Sequence, residues 1–371
     1  MTGRTRPVSR VLMTVDAVGG VWRYAMDLAA ALAAVDVSVI FAGFGPRPSG
    51  EQMREAQALG ALHWLDAPLD WTVVDPRALD GVAVEIEALA EAQAVDIVHV
   101  NLPSQAAGLR TGIPVLAVSH SCVVTWFAGV RGTDVPEDWA WQKRLNADGL
   151  RRADAVVMPS RSHGALVEAT YGAMAHLTVV PNASRLATVL PEKADMVFAA
   201  GRWWDEGKNG AVLDAAAPAM LWPLVMAGPL TGPAGQGVAL CHAELPGALS
   251  HRETMERMAR AAIVVSPSLY EPFGLAALEA ARSGAALVLA DIPTYRELWD
   301  GAALFADPHD PDAFSDAVNR LVDDPRLRRA LALRAQAKAR RFTPSAQADA
   351  MLDLYTRIAS VKRSHDLAAA E

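Results

Sequence analysis

Residues 266–284 read SPSLYEPFGLAALEAARSG and are the most informative segment of this chain. Glu271 and Glu279 lie eight residues apart, on either side of a Pro-Phe-Gly turn that leads into an alanine-rich helix. Pro272 suits the first helical position, and Gly274 lets the backbone approach a ligand closely. Because the free N–H groups of a helix start attract phosphate oxygens, the segment predicts a helix that begins at an anionic ligand.

The two glutamates suit hydroxyl groups of the same ligand. Two turns into the helix, the side chain of Glu279 points back along the face that Glu271 begins. Glu279 is then placed to accept hydrogen bonds from the vicinal hydroxyls of a ribose, and Glu271 from those of a sugar. The alternative is an ordinary amphipathic helix with two solvated glutamates, whose inward residues are Leu275, Leu278 and Ala281.

This segment resembles the E-x7-E signature of the retaining glycosyltransferases of the GT-B fold, most closely glycosyltransferase family four. Three further segments are similar to family motifs: VGGVWRYAMDLAAAL at 18–32, VVPNAS at 179–184 and AAGRWWDEGKNG at 199–210. The chain departs from the family in two places. Ala183 follows Asn182 where the family usually has glycine, and the spacing from Arg202 to Lys208 is one residue longer than the commonest form.

The resemblance implies a nucleoside diphosphate sugar as donor, a hydroxyl group as acceptor and retention at the anomeric carbon, with the departing phosphate taking the acceptor's proton. It assigns catalysis to four residues, which are Arg202, Lys208, Glu271 and His120. It assigns donor binding to Gly19, Gly20, Arg202, Lys208, Glu271, Phe273, Gly274, Leu275 and Glu279. In the family, the arginine and the lysine hold the donor's pyrophosphate.

Arg202 and Lys208 are also well placed by the predicted strands. Arg202 follows the strand MVFAA, and ligands of open parallel sheets bind at the carboxyl ends of strands. A guanidinium can bind phosphate oxygens with two hydrogen bonds while an ammonium acts as a point charge. The alternative is a surface arginine and lysine that pair with Asp205 and Glu206.

His120 ends the predicted strand PVLAVS, at a position that matches the acceptor-domain histidine of the family. A histidine there could hydrogen-bond the transferred sugar and orient the anomeric centre. His99 is a rival because it also ends a strand on the same side of the sheet. Either residue could instead be a core histidine. Gly19 and Gly20 are a weak signal alone, with a plain tight turn as the alternative.

Strands and helices alternate along the chain, which predicts parallel sheets covered on both faces. With 371 residues, two or three domains are expected. Together with the resemblance, this predicts an α/β fold of the GT-B type, in which two Rossmann-like parallel-sheet domains face each other across a cleft. The predicted domains are an acceptor-binding domain at 1–187, a nucleotide-sugar-binding domain at 188–343 and a helix at 344–371 that crosses back onto the first domain.

Composition narrows the possible partners and cofactors. The net charge is −8 with a pI of about 5.6, so no broad basic field for nucleic acid is expected. Cys122 and Cys241 are far apart, which argues against a disulfide framework and against a zinc site. Asp310 and Asp312 resemble a metal-binding Asp-x-Asp, but an aspartate before proline and a periodic helix predicts a helix cap. We therefore expect no metal and no cofactor besides the nucleotide sugar as co-substrate.

We expect a cytoplasmic protein, because the cysteines form no disulfide pattern and no apolar signal or membrane-spanning run is found. Peripheral membrane contact remains an alternative because aromatic residues are dense in the first half, at Trp64, Trp71, Trp126, Phe127, Trp139 and Trp141. Two other functions stay open, which are an epimerase or phosphorylase on the same fold and a non-catalytic sugar-nucleotide-binding protein. The donor's base and sugar, the acceptor and the oligomeric state are not specified by these motifs.

Overall fold

The computed structural model of the chain describes residues 7–186, 191–233 and 235–370. Contacts within this part divide it into two compact units, one running to Ala183 and resuming at Thr343, and the other spanning Ser184–Phe342. The predicted domain boundary at 187/188 lies outside the described residues. Each unit contains one sheet in which every paired strand is parallel, so the predicted α/β class is confirmed.

The N-terminal unit is built on a seven-stranded sheet. Its strands are β1 (Arg10–Asp16), β2 (Ser38–Phe44), β3 (Gly60–Trp64), β4 (Ile97–Val100), β5 (Val115–Val118), β6 (Ala155–Met158) and β7 (Leu177–Val179). Its helices before the second unit are α1 (Gly20–Ala33), α2 (Gly50–Leu59), α3 (Val82–Ala92), α4 (Val123–Trp126), α5 (Ala140–Arg152) and α6 (Arg161–Tyr171). The strand order is β3-β2-β1-β4-β5-β6-β7, which places the topological switch point between β1 and β4.

The alternation of strands and helices in the sequence predicts the other five strands of this sheet but not β3 or β7, and it does not predict α2 or α6. The two strands lie at the edges of the sheet and are mostly half-buried, so they lack the apolar run that identifies a central strand. The two helices carry signals that can be seen in the sequence. Ser49 and Gln52 form a reciprocal capping box at the start of α2, and the Ser160 side chain caps α6.

The C-terminal unit is built on a five-stranded sheet. Its strands are β8 (Ala194–Ala200), β9 (Leu224–Ala227), β10 (Ala261–Ser266), β11 (Ala286–Ala290) and β12 (Ala303–Ala306). Its helices are α7 (Gly210–Ala216), α8 (His251–Arg260), α9 (Leu275–Arg282), α10 (Pro293–Trp299), α11 (Pro311–Asp323) and α12 (Pro325–Ala339). The order β12-β11-β10-β8-β9 places the switch point between β8 and β10.

The core of the C-terminal unit explains why its central strands read as continuous apolar runs. Helices cover both faces of a parallel sheet, so successive side chains on a strand are all buried. All five residues of β11 are buried, and Leu287, Val288 and Leu289 are fully inaccessible. This packing fixes β10 and β11 as rigid supports for the loops at their carboxyl ends.

The last helix, α13 (Pro344–Ala370), belongs to the N-terminal unit and packs against α1. It buries Met351 and Tyr355 in the core beside β1. The helix predicted at 344–371 extends from Pro344 to Ala370. Within the described ranges, no helix combines the length and apolarity needed to cross a bilayer.

Candidate functional site

Two loops meet at the switch point of the five-stranded sheet. One follows β8 and leads to α7, and the other follows β10 and leads to α9. The backbone N–H of Leu269 donates to the Gly207 carbonyl at 2.9 Å, and the Asn209 side chain donates to the Pro267 carbonyl at 3.0 Å. Because β8 and β10 are parallel neighbours, their carboxyl ends share one edge, and these bonds hold the two loops together.

An ion pair joins the two loops. Lys208 Nζ contacts Glu271 Oε1, and the Ser268 hydroxyl donates to the same carboxylate oxygen at 3.2 Å. The side chains are 23% and 13% exposed, respectively, so both charges are mostly shielded but remain reachable. An ammonium carries three donors, and Glu271 occupies one of them. The sequence predicts a site that contains both residues, and the structure brings them into contact.

Arg202 is anchored on the same loop as Lys208. Its Nη2 lies 3.3 Å from Asp205 Oδ2, and its guanidinium carbon lies 5.4 Å from the centre of the Trp204 ring. The pairing with Asp205 that the alternative interpretation proposes is therefore present. With this ion pair formed, the Arg202 side chain is still one-third exposed. A guanidinium has five N–H donors, so several are available for further acceptors.

The helix that follows the β10 loop begins directly after Gly274 and not at Pro272. Gly274 is the N-cap residue of α9 with φ of +84°, and Leu275 is the first helical residue. The prediction that Pro272 occupies the first helical position is therefore wrong by one turn. The first helical hydrogen bond runs from Ala277 N–H to the Gly274 carbonyl, so the N–H groups of Gly274 and Leu275 precede it. Phe273 is buried and packs edge-to-face on Phe342, so only its backbone suits a ligand.

Glu279 lies in the middle of α9 and is only 6% exposed. Together with the shielding of Glu271, this burial contradicts the alternative of two solvated glutamates on a surface helix. Leu278 and Ala281 point into the core as the amphipathic pattern predicts. Burying a carboxylate costs free energy unless polar groups contact it, so a glutamate at this position favours contacts with polar groups of the protein or of a ligand.

We expect Gly274→Ala to lower the free energy of unfolding by more than an ordinary glycine replacement. A Cβ at this position would lie 2.7 Å from Cε1 of Tyr295, a buried side chain whose hydroxyl is 2.5 Å from Ser266 Oγ. Overpacking of this kind costs about 1–3 kcal/mol, in addition to the strain of the left-handed backbone.

Gly301→Ala is the matched control, because Gly301 has φ of +73° in the same unit but no atom within 4 Å of its added Cβ. Chemical denaturation of the two variants measures the difference. Equal losses would show that Tyr295 does not constrain the loop.

In the N-terminal unit, Gly19 and Gly20 lie at the switch point between β1 and β4. Gly19 is the extended N-cap residue of α1 and Gly20 is its first residue. The glycine at the N-cap has no side chain with which to bond the first N–H groups of this 14-residue helix. Those donors therefore suit an anionic or hydroxyl-bearing ligand.

His120 is held by a buried polar network. The Asn101 side-chain amide donates to the Thr14 carbonyl at 2.6 Å, which leaves Asn101 Oδ1 as an acceptor. Nε2 of His120 lies 3.0 Å from this oxygen and Nε2 of His99 lies 3.2 Å from it, so both rings carry a proton on Nε2. His99 Nδ1 then accepts from the Tyr355 hydroxyl at 2.6 Å.

The network distinguishes the two candidate histidines. His99 is fully buried and uses both ring nitrogens within the fold, so it is a core histidine. Burial lowers the pKa of His120 to about 3, with smaller contributions from His99 and His163. His120 is therefore neutral at pH 7, and its Nδ1 lone pair is left to accept a hydrogen bond.

We expect acid to destabilise the N-terminal unit through its buried histidines. Burial lowers the pKa of His99 to about 3 and that of His163 to about 4, from an ordinary value of 6.5. Below pH 6.5 the unfolded chain then binds more protons than the folded chain, so stability is full above this pH and falls as the pH drops toward 4. Each histidine contributes a slope of about 1.4 kcal/mol per pH unit.

Denaturation midpoints at pH 7.5, 6 and 5 measure this slope. His163→Gln should lower the slope by about 1.4 kcal/mol per pH unit, which is the contribution of one proton. A wild-type slope that neither His163→Gln nor His99→Gln alters would contradict the assignment.

Asp310 acts as a helix cap, as predicted. Its carboxylate accepts the backbone N–H of Asp312 at 2.9 Å, and Pro311 begins α11. The Asp-x-Asp pattern is thus explained by local structure.

The first half and much of the second half of the chain match known sequence families. Residues 18–186 match the family described as Glycosyltransferase Family 4, and residues 240–338 match the family described as Glycosyl transferases group 1. The glycogen synthase of Mycobacterium tuberculosis is 25% identical over 374 aligned residues, which cover 88% of this chain and 87% of that enzyme. A D-inositol 3-phosphate glycosyltransferase of Xylanimonas cellulosilytica is 42% identical over 101 residues, covering 26% of this chain and 24% of that enzyme.

Solved structures show the same fold. Sucrose-phosphate synthase from Thermosynechococcus elongatus superposes with a TM-score of 0.77 at 18% identity, covering 96% of this chain and all of that one (100%). HepE of Anabaena, solved in complex with UDP-glucose, superposes with a TM-score of 0.70 at 15% identity, covering 96% and 99%. These similarities and the two family matches together confirm the resemblance seen in the sequence. The chain is a glycosyltransferase of the GT-B fold, similar over residues 18–186 to Glycosyltransferase Family 4 and over residues 240–338 to Glycosyl transferases group 1.

Proposed function

We propose that this glycosyltransferase moves a hexosyl unit from a nucleoside diphosphate sugar to a hydroxyl group, with retention at the anomeric carbon and without a metal ion. The observation that carries the proposal is the contact between Lys208 and Glu271 at the switch point of the five-stranded sheet. It places a cation suited to a diphosphate directly beside a carboxylate suited to sugar hydroxyls.

The diphosphate is stabilised by fixed positive charge. Lys208 supplies a point charge, Arg202 supplies a planar donor group held by Asp205 and Trp204, and the first N–H groups of α9 point the positive end of the helix at the phosphate. As the bond to the sugar breaks, negative charge grows on the departing phosphate. Donors that are fixed before the reaction stabilise this charge without reorganisation, so a metal ion is not required.

The transfer step needs no nucleophile from the protein. The bond between the anomeric carbon and the phosphate oxygen breaks with its electron pair moving to phosphate. The acceptor oxygen bonds to the same carbon on the same face, and its proton goes to a departing phosphate oxygen. The products are a glycoside and a nucleoside diphosphate, and the protein's contribution is positioning and charge stabilisation.

We assign the remaining residues from the family resemblance, and their positions in the structure are compatible with these roles. Glu279 binds the ribose hydroxyls and Glu271 binds the donor sugar. His120, neutral and with Nδ1 free to accept, binds a sugar hydroxyl, while Gly19 and Gly20 provide backbone donors at the start of α1. The N-terminal unit takes the acceptor, which is a saccharide, a lipid-linked molecule or a small molecule.

A donor screen tests this function. UDP, GDP and ADP are added separately to the purified protein, and we expect one of them to raise the melting temperature because it binds the folded state. HepE, which shares the fold, has been solved with UDP, so uridine donors are the first to test. The matching hexose donor should then release nucleoside diphosphate, and the product should keep the donor's anomeric configuration by NMR.

A chelator provides the second arm of the test. Turnover should be the same before and after chelation because cationic side chains replace the metal. Loss of turnover that magnesium or manganese restores would contradict metal independence. An inverted product would contradict retention, and stabilisation by none of the three diphosphates would contradict the donor class.

A further inference from the structure

A group of potential metal ligands lies on α7 and the segment that follows β9. Asp214, Cys241 and His242 each offer one ligand atom, and these atoms all lie within 4.8 Å of one another in the described part of the chain. Asp214 is buried, whereas Cys241 and His242 are exposed. Neither the donor site nor the polar network around His120 uses any of them. Carboxylate, thiolate and imidazole are together a typical ligand set for zinc.

The distances fit a tetrahedral zinc ion. His242 Nδ1 lies 3.1 Å from Asp214 Oδ2 and 3.5 Å from Cys241 Sγ. Tetrahedral angles and ordinary zinc bond lengths of about 2.0–2.3 Å require separations of about 3.3 Å for nitrogen and oxygen and about 3.6 Å for nitrogen and sulfur. Both separations are therefore reached with shifts of a few tenths of an ångström.

The backbone around the group is already ordered. The carboxylate of Asp214 accepts the N–H groups of Cys241, His242 and Ala243 at 2.9, 3.0 and 2.9 Å. Immediately afterwards, Glu244 pairs with the outer edge of β9: its N–H donates to the Leu224 carbonyl, and its carbonyl accepts the Met226 N–H. The ligands thus stand on a fixed helix and on a segment attached to the sheet edge, and outer hydrogen bonds orient the carboxylate.

We propose that Asp214, Cys241 and His242 bind one zinc ion, with a fourth position open to water. Binding replaces the hydrogen bond from His242 Nδ1–H to Asp214 with two metal bonds. The imidazole then carries its proton on Nε2 instead of Nδ1 by exchange with water, and the Cys241 thiol releases its proton to solvent and ligates as thiolate. The ion fastens the segment after β9 to α7. Its role is separate from donor chemistry, so it leaves metal-independent transfer unchanged.

Cobalt and zinc titrations of the chelator-treated full-length protein test the proposal. Cobalt should bind at one equivalent per chain and produce the near-ultraviolet band of a thiolate–cobalt bond, and zinc should displace it. Cys241→Ser should abolish the band, and His242→Ala should weaken zinc binding by more than about 100-fold, since removing even outer partners of a metal site costs about 10- to 100-fold. Zinc should raise the melting temperature of the wild type and not of Cys241→Ser.

Both substitutions are at exposed residues, so the variants are expected to fold, and circular dichroism checks this. Cys122→Ala is the matched control because Cys122 is the other cysteine, is buried and lies in the other unit. It should keep the cobalt band and the zinc affinity. Absence of saturable binding at micromolar zinc, or a band that persists in Cys241→Ser, would overturn the proposal. Turnover of the zinc-free protein is measured in parallel and reports on the donor site alone.

Discussion

Arg202→Ala should lower kcat by about 10²- to 10³-fold, the range found when one fixed donor to a developing negative charge is removed. Arg202 is held by Asp205 and by the face of Trp204, so its guanidinium is positioned before the donor arrives. Charge on the departing diphosphate grows toward the transition state, so the effect should fall mainly on kcat and less on the KM for the donor. Steady-state kinetics with the donor identified by the thermal screen measure it.

Arg296→Ala is the matched control for this variant. Arg296 lies in the same unit, pairs with Asp291 at 2.6 Å and lies over the ring of Phe305 at 4.0 Å, so it reproduces the ion pair and the ring contact of Arg202. Its loss should leave kcat unchanged. If Arg202→Ala also leaves kcat unchanged, or if both variants lose activity equally, Arg202 does not stabilise the leaving group.

The sequence predicts the central strands of both units better than their edge strands and short helices, since β12, α7, α8 and α10 of the C-terminal unit are not predicted either. Continuous apolar strands such as β10 and β11 are visible because both of their faces are buried, whereas the edge strands β3 and β7 are mostly half-buried and show no such run. The positions at which helices begin are also predicted less accurately than the central strands. The start of α9 was placed at Pro272 because proline favours the first helical position, but Gly274 takes the left-handed conformation that precedes the helix.

The sequence predicts which residues form the candidate site but not which of them contact each other. Lys208 and Glu271 were identified separately, and only the adjacency of β8 and β10 shows that they form a pair. Ser268 and Asn209, which orient the pair and join its loops, were missed, although polar residues directly after strands are a usable signal.

Side-chain networks between distant segments could not be predicted from the sequence. Tyr355 reaches His99 from the last helix, 256 residues away. The proximity of Asp214, Cys241 and His242 is hidden for the same reason, because counting cysteines does not find a group that includes Asp214, 27 residues before Cys241. Contacts of this kind depend on tertiary packing rather than on local pattern.

Glu279→Gln should weaken the binding of free nucleoside diphosphate by about 10- to 100-fold, because a hydrogen bond to a charged group contributes about 1.5–3 kcal/mol. Glutamine keeps the volume of this buried side chain, so the core of α9 is preserved. Glu271→Gln should behave differently. Its proposed partner is the sugar, which the diphosphate lacks, and its removal releases the Lys208 ammonium from an ion pair. Free diphosphate should therefore bind Glu271→Gln as tightly as the wild type or more tightly, while transfer falls.

Calorimetric titration with the diphosphate and kinetics with the full donor separate the two roles. Glu256→Gln, an exposed glutamate paired with Arg252 on α8, is the control and should change neither quantity. Equal weakening of diphosphate binding by Glu279→Gln and Glu271→Gln would show that the carboxylates do not divide nucleoside and sugar between them. Unchanged binding and transfer in both variants would mean that neither glutamate contacts the donor. We expect weaker diphosphate binding in Glu279→Gln alone, and a lower rate of transfer at saturating donor in Glu271→Gln.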